Sequence, residues 1–119
     1  MQANDATPAT GEMAWARLVP HILQLRRRLD RLEAARLAPR DPDLGEQALA
    51  AEGDEVDAAI EAALRDKLSE AEAALERIAA GRYGRCLDCG EPIAEARLRA
   101  LPTARRCAAC EARAGAAHG

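Results

Sequence analysis

Two Cys-x-x-Cys pairs, Cys86-Leu87-Asp88-Cys89 and Cys107-Ala108-Ala109-Cys110, stand 17 residues apart and constrain this chain more than any other feature. Each pair places two sulfurs on one side of a tight turn, and two such turns complete a tetrahedron of thiolates around zinc at about 2.3 Å per bond. Gly90, directly after the first pair, suits a backbone that must fold back toward a metal. Four thiolates on a divalent cation leave a doubly negative centre, and Arg85, Arg105 and Arg106 lie near in sequence to offset it. No further ligand or open position is evident. The expected cofactor is therefore one structural zinc ion per chain, held by Cys86, Cys89, Cys107 and Cys110. The competing readings are a pair of disulfides or a redox Cys-x-x-Cys. Disulfides belong to oxidising compartments, and the start, Met1-Gln2-Ala3-Asn4-Asp5-Ala6-Thr7-Pro8, has neither the basic nor the apolar region of a secretory leader. A redox pair has no need of a second knuckle. No apolar run approaches the roughly 18 residues of a membrane span. A cytoplasmic protein without membrane contact is expected.

The remainder of the chain reads as helix. It has 119 residues, 49% hydrophobic but only 2% aromatic, and alanine carries most of that apolar count. Alanine buries little area, and β-branched and aromatic residues are scarce, so a sandwich or barrel is excluded. Leu18, Ile22, Leu25, Leu29 and Leu32 form one seam at helical spacing, with Arg26, Arg27, Arg28 and Arg31 mostly off it. Pro20 is expected to start or kink that helix. A breaker cluster, Pro39-Arg40-Asp41-Pro42-Asp43-Leu44-Gly45, follows. A second seam, Leu49, Val56, Ile60, Leu64, Leu68, Ala71, Leu75 and Ile78, then runs from about 44 to 80, and Gly81 supplies a C-terminal cap. Two seamed helices joined by a short loop bury their stripes against each other as an antiparallel hairpin. Trp15 is expected to pack at its base. The fold class is thus mainly α: a helical hairpin (coiled coil), a small four-cysteine finger and a short C-terminal helix. The expected organisation is a disordered 1–11, a hairpin over 12–80 with its tip at about 39–48, a finger with C-terminal helix over 81–114, and a flexible tail at 115–119.

Acids gather around the tip: Asp41, Asp43, Glu46, Glu52, Asp54, Glu55 and Asp57. Taken alone, Asp43 followed by Glu46 reads as an N-cap with its capping-box partner. The later acids read as a solvated face. The net charge of −3 argues against bare nucleic acid as the main partner. No catalytic residues are expected. His21 and His118 stand alone, Ser69 has no histidine within a helical turn, and no glycine-rich phosphate loop is present.

Gly81-Arg82-Tyr83-Gly84-Arg85 leads into the first knuckle, and Ile93, Arg97, Pro102 and Thr103 follow before Cys107. This segment resembles the C4 zinc finger of the DksA/TraR family, bacterial regulators that bind RNA polymerase, and meets every spacing of that pattern. Leu87 departs from it, where the family usually has an acidic or small polar residue. The resemblance implies that the hairpin enters the secondary channel of RNA polymerase and brings an acidic tip toward the active centre. The family tip signature, Asp-x-x-Asp-x-Ala, falls on Asp43, Glu46 and Ala48, with glutamate for the second aspartate. It further implies a monomeric regulator of transcription that makes no sequence-specific DNA contact and is not an enzyme. Two other classes remain open. One is a Gre-like transcript-cleavage factor whose tip acids hold a metal ion. The other is a zinc-stabilised DNA-binding or adaptor module. Some family members use basic residues to bind the alarmone ppGpp together with polymerase. Those positions fall here on Glu70, Leu101 and Glu111, which cannot pair with a polyphosphate. Arg99 and Arg105 are the remaining basic candidates, and ppGpp-independent action is expected.

Overall fold

Leucine, alanine, glutamate and arginine at helical spacing produce helix over most of the chain. The computed structural model describes the backbone of residues 3–38 and 47–118 and the side chains of 10–38 and 55–115. Among the described residues, four helices follow one another: α1 (Ala3–Leu37), α2 (Gln47–Ala79), α3 (Glu95–Ala100) and α4 (Ala108–His118). At 1.5 Å per residue, each arm of the hairpin is about 50 Å long. The arms are antiparallel, because Arg26 pairs with Glu72 near the base whereas Arg36 pairs with Glu61 nearer the tip.

Two apolar clusters hold the arms together. Ala14, Leu18 and Ile22 of α1 meet Ala71 and Ala74 of α2, and this cluster continues into the finger through Tyr83, Cys86, Ile93, Leu98, Ala104 and Cys110. Farther along, Leu25 and Leu29 pack on Leu64, with Leu68 touching both clusters. Ala71 and Ala74 are fully shielded from solvent. Their small side chains let the helix axes approach closely, which compensates for the little area each buries.

Several expectations are corrected. Residues 1–11 were expected to be disordered, yet α1 starts at Ala3. From Gly11 onward the helix packs on α2: Gly11 and Ala14 are buried, and Gly11 lies close to Ile78. Pro20 does not start the helix; α1 runs through it with Pro20 on the exposed face. An interior proline costs about 3 kcal/mol. Burying Leu18, Ile22 and Leu25 on either side, at about 1.5–3 kcal/mol each, offsets that cost. Trp15 remains 43% exposed rather than packed at the base. In α2, Leu64 is buried, but Val56 and Ile60 lie open at 58% and 40%. Among the described residues, the seam is therefore tight over the base and middle of the hairpin and open at Val56 and Ile60. In the outer part Glu61 accepts from both Arg36 and Arg65. The Arg65 hydrogen bond, helped by Arg36, holds its carboxyl below the usual carboxylate range. At the C-terminus, α4 continues to His118, beyond the expected end of the finger's helix at 114. The helix α3 was not expected at all. It is one short turn and a half, carried by an i,i+4 pair from Arg99 to Glu95 at 3.0 Å and by burial of Leu98.

The expected cap at the end of α2 is formed. Gly81 has φ +74°, its N–H donates to the Ile78 carbonyl at 3.1 Å, and the Arg82 N–H donates to the Arg77 carbonyl at 2.8 Å. This is a Schellman termination, and it turns the chain directly into the finger.

If the base carries the hairpin's stability, Leu18→Ala should destabilise the protein by about 2–5 kcal/mol. Leu37→Ala, on a side chain 77% exposed, should change it by less than about 0.5 kcal/mol. Urea unfolding followed by helical circular dichroism checks both.

Candidate metal centre and the base it anchors

The Sγ atoms of Cys86, Cys89, Cys107 and Cys110 all lie within 4.8 Å of one another, with Cys89 and Cys107 at 3.9 Å. Four sulfurs at about 2.3 Å from one ion would be roughly 3.8 Å apart. The set therefore fits a tetrahedral zinc ion with only slight contraction. Cys86 and Cys110 face the core, Cys89 faces solvent, and Cys107 is half-buried.

Local sequence explains how these sulfurs converge. In the first knuckle the Gly90 N–H donates to the Cys86 carbonyl at 3.0 Å, and Gly90 has φ +77°, a conformation that disfavours side chains. The Cys86 N–H donates to the Glu91 carbonyl at 2.8 Å and the Ile93 N–H to the Gly84 carbonyl at 2.7 Å, forming a small two-sided ribbon around the Arg85–Pro92 bridge. The second knuckle sits at the start of α4, where the Cys110 N–H points at the Cys107 sulfur at 3.4 Å. The Leu87 N–H donates to the Arg105 carbonyl at 2.9 Å and ties one knuckle to the other.

The resemblance residues acquire physical roles. Tyr83 is buried and donates its hydroxyl to the Pro102 carbonyl at 2.8 Å; burial raises its pKa. Ile93 fills the core beneath the knuckles. Arg97 donates to the Arg106 carbonyl at 3.1 Å and so fixes the approach to Cys107. From the hairpin side, buried Arg77 reaches the Thr103 carbonyl at 3.4 Å, and Arg17 donates to the Arg99 carbonyl. Burial pushes the Arg77 guanidinium pKa down. The group is held by a carbonyl because no carboxylate reaches it among the described residues. Both helices of the hairpin are thus hydrogen-bonded to the finger.

Electrostatics at the sulfurs explains why a cation belongs there. Burial opposes ionisation of Cys86, but main-chain N–H groups of Cys107, Cys89 and Asp88, with the Cys110 thiol, outweigh it and bring Cys86 down to about 6. Cys110 is pushed up to about 12 by its hydrogen bond to the Cys107 thiol and by burial. Cys89 is favoured by the Glu91 N–H, yet desolvation and the neighbouring sulfurs raise it overall. A bound cation offsets the charge of closely spaced thiolates such as these.

The basic residues differ from expectation. Arg85 donates to the Gly90 carbonyl at 3.2 Å, and Arg106 pairs with Asp88 at 2.8 Å and Glu111 at 3.6 Å, stapling one knuckle to the other. Arg105 is exposed. The guanidinium that touches a sulfur is Arg113, 3.0 Å from Cys110. It stands three residues after a ligand on the same helix, a spacing that could have revealed it. The sequence-predicted tip residues Asp43 and Glu46, and the side chain of Ala48, lie outside the described residues.

Residues 81–114 match the family model for the prokaryotic dksA/traR C4-type zinc finger. The likeness extends into the hairpin. The solution structure of the DnaK suppressor protein from Agrobacterium tumefaciens is 37% identical, with 86% of this chain and 91% of that one covered at a TM-score of 0.60. The chain belongs to the DksA/TraR family. The same fold is seen in transcription factor DksA2 from Pseudomonas aeruginosa, at a TM-score of 0.78, 24% identity, and coverage of 92% of this chain and 86% of that one. Among curated sequences, the RNA polymerase-binding transcription factor DksA of Caulobacter vibrioides is 46% identical over 54 residues. That match covers 42% of this chain and 38% of the relative. A protein of Aquifex aeolicus is 54% identical over 43 residues, or 36% of this chain and 30% of that one. The matched segment thus spans well under half the length of these curated relatives. The DksA/TraR finger of this chain carries a structural zinc ion. No helix among the described residues is long and apolar enough to cross a membrane.

Since the finger has little apolar core of its own, zinc binding energy is largely folding energy. Cys107→Ser should lose the ion by elemental analysis and lower the melting temperature. A variant that retains one zinc per chain and melts like the parent would contradict this assignment.

Proposed function

We propose that this DksA/TraR protein is a cytoplasmic, monomeric regulator of transcription that binds RNA polymerase through its secondary channel and performs no chemistry of its own. Cys86, Cys89, Cys107 and Cys110 ligate the zinc ion that holds the base. The two arms supply reach, and Asp43, Glu46 and Ala48 form the tip that acts near the polymerase active centre. The observation that carries this reading is the conjunction of a family-specific finger with a likeness to a family structure over 86% of the chain. The tip acids would place negative charge beside the catalytic metal. A phosphate backbone would be repelled by them, so sequence-specific DNA contact is not part of the reading.

The action is proposed to be independent of ppGpp. Glu70, Leu101 and Glu111 line one cleft of about 280 Å³ between α2 and the finger, shared with Arg77, Arg97 and Arg105. Of these arginines, Arg77 and Arg97 are committed to main-chain carbonyls. Two carboxylates facing the same cleft oppose a polyphosphate.

Purified polymerase provides the test. Asp43→Ala with Glu46→Ala should bind polymerase like the parent but lose its effect on initiation. Normal regulation by the double variant would show that the acids only cap a helix. Cleavage of the transcript in stalled elongation complexes would instead favour a Gre-like factor. With a polymerase lacking any other ppGpp site, the effect on a responsive promoter should be unchanged by ppGpp. A marked enhancement would overturn that part of the reading.

A further inference from the structure

The sulfurs of the finger are not served alike. One sulfur accepts a main-chain N–H and another a guanidinium. Cys107 receives the N–H of Cys110 at 3.4 Å. Cys110 itself sits inside α4, whose N–H groups are directed along the helix, and it is met instead by the guanidinium of Arg113 at 3.0 Å. Side chains on a helix lean toward its N-terminus, so a residue at i+3 reaches back over the ligand at i. Among the described residues no carboxylate pairs with Arg113. The other arginines around the site are engaged elsewhere: Arg106 with Asp88 and Glu111, Arg97 with the Arg106 carbonyl, and Arg85 with the Gly90 carbonyl.

We propose that Arg113 is a positioning residue of the metal centre, donating a charge-assisted hydrogen bond to the Cys110 thiolate and thereby governing how tightly the finger retains zinc. A thiolate that accepts such a bond gives less charge to competing electrophiles, and one cation halves the net charge of a four-thiolate zinc centre. The role belongs to Arg113 specifically, because it combines charge with contact. Arg105 offers nearby charge without contact to a sulfur, which makes it the natural control.

The test uses the full zinc-loaded protein and a chromophoric chelator. Loss of an outer-shell partner typically weakens metal retention by about 10–100-fold. Arg113→Met should therefore transfer zinc at least about 10-fold faster than the parent. Arg113→Lys should fall between the two, since it keeps the charge but loses the planar fork. Arg105→Met should match the parent. A second readout is independent of folding stability: in the cobalt-substituted protein, Arg113→Met should shift the thiolate-to-metal charge-transfer band, and Arg105→Met should leave it in place. Mass-spectrometric mapping of alkylation should find Cys110 the sulfur whose reactivity rises most. Parent-like zinc transfer together with an unchanged cobalt spectrum in Arg113→Met would overturn the proposal. So would an equal effect of Arg105→Met, which would reduce the contribution to general charge.

Discussion

Convergence of four sulfurs at one point is the constraint on which the remaining structure depends. The finger has one isolated bridge, a six-residue helix and a few buried side chains, too little to fold without a metal. Once closed, it places Tyr83, Ile93, Leu98 and Ala104 in the same cluster as Leu18, Ile22, Ala71 and Ala74. A two-helix hairpin has no third face to cover its seam, and here the finger supplies the missing cover at one end. The hydrogen bonds from Arg77 and Arg17 to finger carbonyls then fix its angle against both arms.

Stability is consequently graded along the hairpin. The base is apolar and backed by the finger, the middle relies on Leu25, Leu29 and Leu64, and the outer part depends on Glu61 with its two arginines. Exposed ion pairs contribute little, typically under about 1 kcal/mol. The protein therefore concentrates its stability far from the end proposed to act on polymerase.

Much of this was legible in residues. The cysteine spacing, the leucine seam and Gly81 predict the metal site, the hairpin and a C-terminal cap on α2, because each depends on one local geometry. What was not legible depends on tertiary contact. Nothing in the composition of Ala3–Gly11 signals a helix, and the one printed contact there, Gly11 against Ile78, is a tertiary one. Val56 and Ile60 have seam spacing, but periodicity does not say where a partner helix stops covering them. Arg106 is expected beside the thiolates, but it pairs with carboxylates from another segment of the finger and from α4. Arg113 acts from one helical turn after the second knuckle, whereas the arginines adjacent in sequence to the cysteines all precede it.

The central claim is that finger and hairpin base form one cooperative unit closed by the metal. Amide hydrogen exchange of the full protein, with zinc and after its chelation, measures this most directly. The account predicts that chelation removes protection from residues 82–110 and from the 14–22 and 71–78 segments of the arms together. Protection of those arm segments that survives complete loss of finger protection would contradict it.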